Sequence, residues 1–584
     1  MFLPTTPQEL SRLGWKSLDV ILVTGDAYID SPHVGVAVIG KVLLNAGYRV
    51  GIISQPDIHS DLDICRLGVP ELFWGVTAGC MDSMIANYTP TRKRRRTDDL
   101  TPGGQNTKRP DMAAIVYPNL IRKYFKNTRP IVLGGIEASL RRISHYDYGS
   151  DSVRRSILFD AKADILVYGM GEETVLDLAR KLLENRPVAD TRGICHIASE
   201  KPKGYIELPS HEEVARDKNK FEQMFRVFYE NSDPFSAVGL CQKQDTRYLI
   251  QNPPQLPPSP AALDRIYELD YERDVHPFHK AAGRVRALET IRFSITTHRG
   301  CYGECRFCSI PVHQGRIVIS RSEASILKEA ARMSRHPEFK GIIPDVGGPT
   351  ANMYGIECGR KGKHGACRNK GCLTPVICND LPVSHHRQIH LLENLRQLPG
   401  IKKVFIGSGI RHDLVLKDEK FGRRYLEELV RHHVSGQLKV APEHSEEHIL
   451  HLMGKPGFQD LLEFKRRFDQ LNQQLNKKQY LTYYFIAAYP GCTLKDMAQL
   501  RRIIRRRLGL RPQQVQIFTP SPATIATLMY YTATDPDTGR PLFVEKNIGR
   551  KEAQKKVLVS HGSQVRRTSA ERPGRKVRTG EQDS

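Results

Sequence analysis

Cys301-Tyr302-Gly303-Glu304-Cys305-Arg306-Phe307-Cys308 sets three cysteines within eight residues. Thiolates so close can converge from one loop on a single inorganic centre, whereas disulfide geometry disfavours pairing them with one another. Three donors are one short of a closed shell for zinc or an iron-sulfur cluster. Either another residue closes it, His298 or His313 being suited to zinc, or a coordination position stays open for a ligand. The bland alternative is a trio of core cysteines. Gly300 and Gly303 suit a backbone that must curl tightly around such a centre.

Working outward from this loop, an α/β rhythm runs from about Ala287. Strand patterns stand at 292–296, 341–344, 403–406, 437–440, 481–486 and 514–518, with helical patterns between them at 323–334, 425–433 and 494–508. This predicts a partial (β/α)6 barrel over 287–555, whose chemistry belongs at the carboxyl ends of the strands. The chemistry-bearing segments fall at those ends: Asp345-Val-Gly347-Gly348-Pro349-Thr350 after the second strand and Ser408-Gly409-Ile-Arg411 after the third. Glu443 follows the fourth and Tyr489-Pro490-Gly491 the fifth.

Upstream, residues 1–230 open with Val20-Ile-Leu-Val-Thr24, then a loop, the apolar run Val36 to Leu44, and Val50-Gly-Ile-Ile53. Further strands are expected at Ala114–Tyr117, Ile131–Leu133 and Ile165–Tyr168, the last two ending near Gly134-Gly135 and Gly169-Met-Gly171. Such alternation predicts a Rossmann-like open parallel sheet with its site at the carboxyl ends. No intact G-x-G-x-x-G follows a strand, which disfavours NAD. The stretch Asn252-Pro-Pro-Gln-Leu-Pro-Pro-Ser-Pro260 cannot form regular helix or a central strand. It marks 231–286 as a connector, and 556–584 reads as a basic disordered tail.

Several stretches resemble the YgiQ family of radical S-adenosylmethionine (SAM) proteins. They include Ser294-Ile-Thr-Thr-His298-Arg299-Gly300, His313-Gln-Gly-Arg316, Ser320-Arg321-Ser322, Lys439-Val-Ala-Pro-Glu443-His444, Phe518-Thr-Pro-Ser-Pro522, Met529-Tyr-Tyr-Thr532, Leu133-Gly-Gly-Ile-Glu-Ala-Ser139 and Ser144-His-Tyr-Asp-Tyr148. The resemblance covers all but the last 30 or so residues. It implies a 4Fe-4S cluster held by Cys301, Cys305 and Cys308, with the fourth iron chelating SAM. Reductive cleavage of SAM would then give a 5'-deoxyadenosyl radical that abstracts hydrogen from an unidentified substrate. It further implies that Phe307 packs near the adenine and that the Gly347-Gly348 turn holds the SAM amino group, although Pro349 stands where an acidic residue is usual. Ser408 and Arg411 would reach the ribose and the methionine carboxylate, and Glu443 would meet ribose hydroxyls or the substrate. A salt bridge is the plain alternative for each of the two charged residues. Implied partners are SAM and a low-potential electron donor such as flavodoxin or ferredoxin.

The N-terminal layout is also similar to the cobalamin-binding domains fused to some radical SAM enzymes. Their Asp-x-His-x-x-Gly is replaced by Asp30-Ser-Pro-His33-Val-Gly35, a spacing that speaks against cobalt ligation by His33. A cobalamin-dependent methyltransferase is the alternative within the class. Outside it stands a non-catalytic zinc protein that binds RNA.

A second cysteine group, Cys358, Cys367, Cys372 and Cys378, supplies four thiols on a loop poor in apolar residues. That composition fits a second metal site, iron-sulfur or zinc, or else free cysteines in a tolerant loop. Seven of the twelve cysteines lie between Cys301 and Cys378, too sparse overall for a disulfide scaffold. Cys65, Cys80, Cys195, Cys241 and Cys492 read as small buried residues.

Across 584 residues, 88 Lys and Arg against 64 Asp and Glu give a net charge of +24, which favours a polyanion such as RNA. Location weakens that inference, because from Lys546 onward eleven basic residues face four acidic ones. The other run, Arg92-Lys-Arg-Arg-Arg96, has no interleaved aromatics to act as a stacking platform. No apolar run reaches the roughly 18 residues of a membrane span, and Met1-Phe-Leu-Pro lacks the features of a secretory signal. The expectation is a cytoplasmic enzyme without a membrane partner.

Overall fold

The computed structural model describes residues 1–367, 371–510, 512 and 515–559. The first half is built on a nine-stranded sheet. Its strands are β1 (Val20–Thr24), β2 (Val50–Ser54), β3 (Phe73–Thr77), β4 (Ile131–Gly134), β5 (Ile165–Val167), β6 (Ile194–Ala198), β7 (Ile206–Leu208), β8 (Leu240–Gln244) and β9 (Arg247–Gln251). Parallel pairing joins β2, β1, β3, β4 and β5 in that order. Every residue of β1 and β2 is buried, as expected for strands covered by helices on both faces. The order 2-1-3-4-5 is the flavodoxin-like one, in which ligands bind at the switch between β1 and β3. Antiparallel β6 and the β8–β9 hairpin extend the sheet beyond β5.

That hairpin corrects the expected connector over 231–286. Residues 240–251 belong to the sheet, and polar side chains hid them. Gln242, Gln244 and Gln251 are buried, and their side-chain oxygens accept from Ser144 N, Ser156 N and Arg142 Nε at 3.0–3.1 Å. The proline-rich stretch packs down as well, with Pro253 O accepting from Gly193 N and Pro254 O from Arg192. A second correction concerns Ala114–Tyr117, which lies in the first turn of helix α2 (Ala113–Tyr124) after α1 (Gly35–Asn45). Ala113, Ala114, Tyr117, Leu120 and Ile121 are buried at helical spacing, and Glu137 Oε1 accepts from Ala114 N.

The second half follows the barrel expectation. Strands β10 (Ile295–Thr296), β11 (Ile342–Ile343), β12 (Val346–Gly347), β13 (Lys403–Val404), β14 (Gln437–Glu443), β15 (Tyr480–Ala487) and β16 (Val515–Ile517) supply six successive staves, β11 and β12 forming one of them. They pair in parallel, β10 with β12, β11 with β13, and β14 with β15 with β16. A single bridge from Ile410 to Val440 links the two groups. The expected strand at 514–518 appears as β16, residue 514 lying outside the described residues, as do 560–584 of the expected tail. The chain's last described helix, α5 (Ile548–Leu558 once α3, Glu172–Leu183, and α4, Pro260–Glu268, are counted), packs on the barrel. Its Gln554 accepts from Ala488 N and donates to Cys492 O.

Among the described residues no helix is long and apolar enough to cross a membrane. The run Arg92–Arg96 is not a bare charged strip, because Tyr148 from far along the chain and Tyr88 from just upstream reach it. Arg92 lies 4.8 Å over the Tyr148 ring and Arg94 5.9 Å over Tyr88.

Candidate active site

A cavity of about 560 Å³ lies where the carboxyl ends of the two sheets meet. From the first half come Asp26 after β1, Gly79 and Cys80 after β3, Gly134 and Gly135 at the end of β4, and Gly169–Glu172 after β5. From the barrel come Ser294–Thr296, His298, Arg299, His313, Gly347–Pro349 and Ser408. Leu22, Val36, Phe73, Val132 and Val167 line its apolar part between the sheet and α1. Cys80, expected as an ordinary buried residue, instead stands exposed at this wall, with its backbone N–H donated to Asp26 Oδ2. Nothing lies within 4 Å of where a side chain would begin at Gly35 or Gly134, so both leave the cavity open.

The cysteine loop flanks this cavity. Its shoulders, Arg299 before and Ile310 after, are part of the wall. Two of the thiols meet at Gly303, where an added Cβ would stand 3.2 Å from Cys301 Sγ, 3.6 Å from Cys305 Sγ and 3.5 Å from Arg411 Nη1. Gly303 N–H donates to Cys301 Sγ at 3.3 Å, and Thr350 Oγ1 lies 3.5 Å from the same sulfur. Burial pushes the Cys308 thiol up to about 12, and the thiols of Cys305 and Cys301 push the same way, which fits three sulfurs sharing one neighbourhood. Gly300 has φ +78°, and a Cβ there would stand 1.9 Å from Ile317 O, so only glycine permits the bend into the loop. Three thiols on one short loop, with a guanidinium beside Cys305, fit a cluster held by three cysteines. Among the described residues, no set of three or more His, Cys, Asp or Glu side chains is gathered around a point suited to one metal ion.

The other expected residues divide into three groups. Gly347 and Gly348 form a turn at the cavity wall, and a Cβ on Gly348 would come within 2.6 Å of the His298 ring. Asp345, which sequence reasoning quoted without a role, orders this rim. Its carboxylate accepts from Gly407 N (2.8 Å), Ser408 N (3.0 Å) and the Ser408 hydroxyl, tying the second stave's turn to the third's. Phe307 meets Tyr489 edge to face at 6.3 Å, so these two form an aromatic corner beside the cysteines.

Arg411 is not at the cavity wall. Its guanidinium is paired with Asp413 and faces the cysteine sulfurs, Nη1 standing 3.8 Å from Cys305 Sγ. Glu443 is buried at a bulge of β14 with φ +68°, and it too lies off the wall. Burial raises its carboxyl pKa, and the Lys455 charge only partly opposes this.

Two histidines that the sequence offered as zinc ligands do other work. His298 Nδ1 is 2.9 Å from Thr297 Oγ1 and His313 Nδ1 is 3.1 Å from Ser139 Oγ. Burial lowers both to about 4, so each faces the cavity as a neutral ring near pH 7. His33 Nε2 lies 3.0 Å from Ser294 O and Nδ1 3.4 Å from Thr296 Oγ1, so both ring nitrogens are engaged by the barrel's first strand.

The second cysteine group approaches the first from behind. Cys358 and Cys378 pack on a small apolar cluster with Cys372, Tyr302 and Cys301. Buried Lys361 donates to Glu304 Oε1 of the cysteine loop at 3.0 Å, and Cys358 N–H donates to Tyr302 Oη at 3.1 Å. Cys367 is half-buried and adjoins residues outside those described.

Comparison with known proteins points the same way. A family model described as Radical SAM N-terminal matches residues 2–294. A UPF0313 protein of Fusobacterium nucleatum is 54% identical over 558 residues, 95% of this chain and 98% of that protein. A UPF0313 protein of Thermotoga maritima is 50% identical over 551 residues, 94% of this chain and 96% of its own length. Among solved structures, the radical S-adenosylmethionine methyltransferase TsrM from Kitasatospora setae, with cobalamin and a [4Fe-4S] cluster bound, superposes with a TM-score of 0.51 at 13% identity. The match covers 93% of this chain and 91% of that one, a likeness of fold.

Proposed function

The chain belongs to the UPF0313, or YgiQ-like, family of radical SAM proteins, and from that premise we propose how it works. It is an enzyme that carries a 4Fe-4S cluster on Cys301, Cys305 and Cys308, cleaves SAM reductively and abstracts hydrogen from a substrate admitted to the cavity. The observation that carries this reading is the approach of the Cys301 and Cys305 thiols around Gly303, with the Cys308 thiol close enough to feel both, on a loop whose shoulders line a cavity at the barrel's carboxyl end.

When bound, the cluster supplies the electron that breaks the sulfonium bond, and the protein supplies position and exclusion of water. The Gly347-Gly348 turn presents backbone to a ligand with no side chain in the way. Phe307, half-buried and backed edge to face by the buried Tyr489 ring, offers an aromatic surface for a planar base. Neutral His298 and His313 add hydrogen-bonding groups without a charge. The electron comes from a low-potential donor such as flavodoxin or ferredoxin. The test is anaerobic reconstitution, which should give an iron-rich protein that converts SAM to 5'-deoxyadenosine on reduction. Cys305→Ala should abolish that conversion, and a well-folded wild-type chain that binds no iron sinks the proposal. Zinc without iron after strictly anaerobic purification would instead support a zinc protein, with RNA as its partner if affinity falls steeply with salt.

A cobalamin-dependent methyl transfer is the second reading, and the sheet order 2-1-3-4-5 with the cavity at the β1/β3 switch favours it. The glycine rim at Gly35 and Gly134 and the apolar floor would hold a large ligand with an apolar portion. His33, engaged by Ser294 and Thr296, is not free to ligate cobalt. Titrating the full-length protein with hydroxocobalamin decides: no spectral change at saturating concentration removes this reading. A second metal at Cys358, Cys367, Cys372 and Cys378 is a separate part of the proposal.

A further inference from the structure

Arg411 is held more tightly than a surface pair requires. Its backbone N–H donates to Asn352 Oδ1 at 2.7 Å and its carbonyl accepts from Asn352 Nδ2 at 2.9 Å. The Asn352 amide also lies 3.2 Å from His385 Nε2, and His385 Nδ1 lies 2.8 Å from Asp418 Oδ2. The side chain is fixed separately. Nε donates to Asp413 Oδ1 at 2.8 Å and Nη2 to Asp413 Oδ2 at 2.5 Å, a bidentate pair out of water. Burial pushes the Asp413 carboxyl up, but the Arg411 charge outweighs it and holds the group at about 2. Of the three guanidinium nitrogens only Nη1 remains, and it stands 3.8 Å from Cys305 Sγ and beside Gly303.

We propose that Arg411 is a tuning residue for the cluster, donating from Nη1 to the Cys305 sulfur so that the reduced, more negative cluster is stabilised, and not a ligand for the SAM carboxylate. The inference rests on the radical SAM reading given above. Hydrogen bonds to cluster sulfurs and buried positive charge both raise the reduction potential of iron-sulfur centres, because the added electron gains more from them than the oxidised state does. The Asp413 pair fixes the fork, so the donor is oriented before the electron arrives. Lysine at this position would keep the charge and lose the fork.

The experiment is a redox titration of the reconstituted full-length protein, followed by electron paramagnetic resonance, with SAM affinity measured in parallel by anaerobic equilibrium dialysis. Arg411→Gln should move the midpoint to more negative potential at unchanged iron and sulfide content, and Arg411→Lys should move it by less. An unchanged midpoint in Arg411→Gln, with or without weakened SAM binding, overturns the proposal. Loss of the cluster in both variants also overturns it, by assigning Arg411 to assembly of the loop. A wild-type chain that holds no iron removes the radical SAM reading itself, a result distinct from either.

Discussion

Two glycines on the same cavity wall make opposite predictions for the same substitution. A Cβ at Gly348 would stand 2.6 Å from two atoms of the His298 ring and 2.8 Å from its carbonyl oxygen. Those contacts fall about 0.6–0.8 Å short of ordinary packing. His298 cannot easily retreat, because it is fully buried and Gly347 O accepts from Thr297 N at 2.7 Å. Overpacking of this kind costs about 1–3 kcal/mol. At roughly 2–4 °C per kcal/mol for a domain of this size, the melting temperature of Gly348→Ala should fall by several degrees. A turn displaced by most of an ångström should also weaken SAM binding, read as a raised Kd. Gly134 has extended backbone, φ −155°, and nothing within 4 Å of its would-be Cβ, so Gly134→Ala should melt with the wild type. The assays are thermal denaturation of both variants and anaerobic equilibrium dialysis with SAM. If Gly348→Ala matches the wild type in both, the packing of the 347–349 turn on His298 is not what shapes this rim.

Lys551 is buried between Tyr148 and Tyr530, donating to the Tyr530 hydroxyl at 2.8 Å, and burial, with help from the Arg92 charge, lowers it from 10.5 to about 8. Between those values the folded chain binds fewer protons than the unfolded one, so stability should climb as pH rises from about 8 to 10.5, by at most about 3 kcal/mol. Lys551→Met should lose that slope; equal slopes in melting experiments across this window would refute the assignment. Cys372→Ser should lower the total iron or zinc per chain while leaving the cluster signal of the first site, and an unchanged metal content would argue for free cysteines in the second loop.

What the sequence made legible follows from how local each signal is. The cysteine loop, the barrel staves and the glycines at strand ends declare themselves within a few residues, since tight turns and short buried strands depend on their own composition. The β8–β9 hairpin did not, because buried Gln242, Gln244 and Gln251 break the apolar alternation by which strands are read, and only distant Ser144, Ser156 and Arg142 explain why glutamine is tolerated there. Ala114–Tyr117 misleads in the opposite way: the β-favouring Ile115, Val116 and Tyr117 serve in the first turn of α2 because tertiary burial outweighs local preference. The strand order and the meeting of both sheets at one cavity are crossover facts with no local signature. The same holds for Arg411, whose pairing with Asp413 two residues on could have been suspected, but whose approach to Cys305 could not.

The joint between the two halves bears on how the cavity works. Arg299, on the shoulder of the cysteine loop, pairs at 2.5 Å with Glu172, which stands at the start of α3 just past Gly169-Met-Gly171. Glu329 of the barrel is gripped by Arg321 and by Arg273 of the intervening segment, all three buried. Removing one partner of such a pair leaves an uncompensated buried charge, at a cost of about 3–5 kcal/mol. Sliding the halves apart would break the Arg299–Glu172 pair, and Arg273–Glu329 ties the intervening segment to the barrel in the same way. A cavity braced by these pairs on either flank holds its shape through packing, and its walls come from both halves, the larger share from the first. Neither half alone contains the site, so ligand-binding tests, the cobalamin titration among them, report on this cavity only when made on the whole chain.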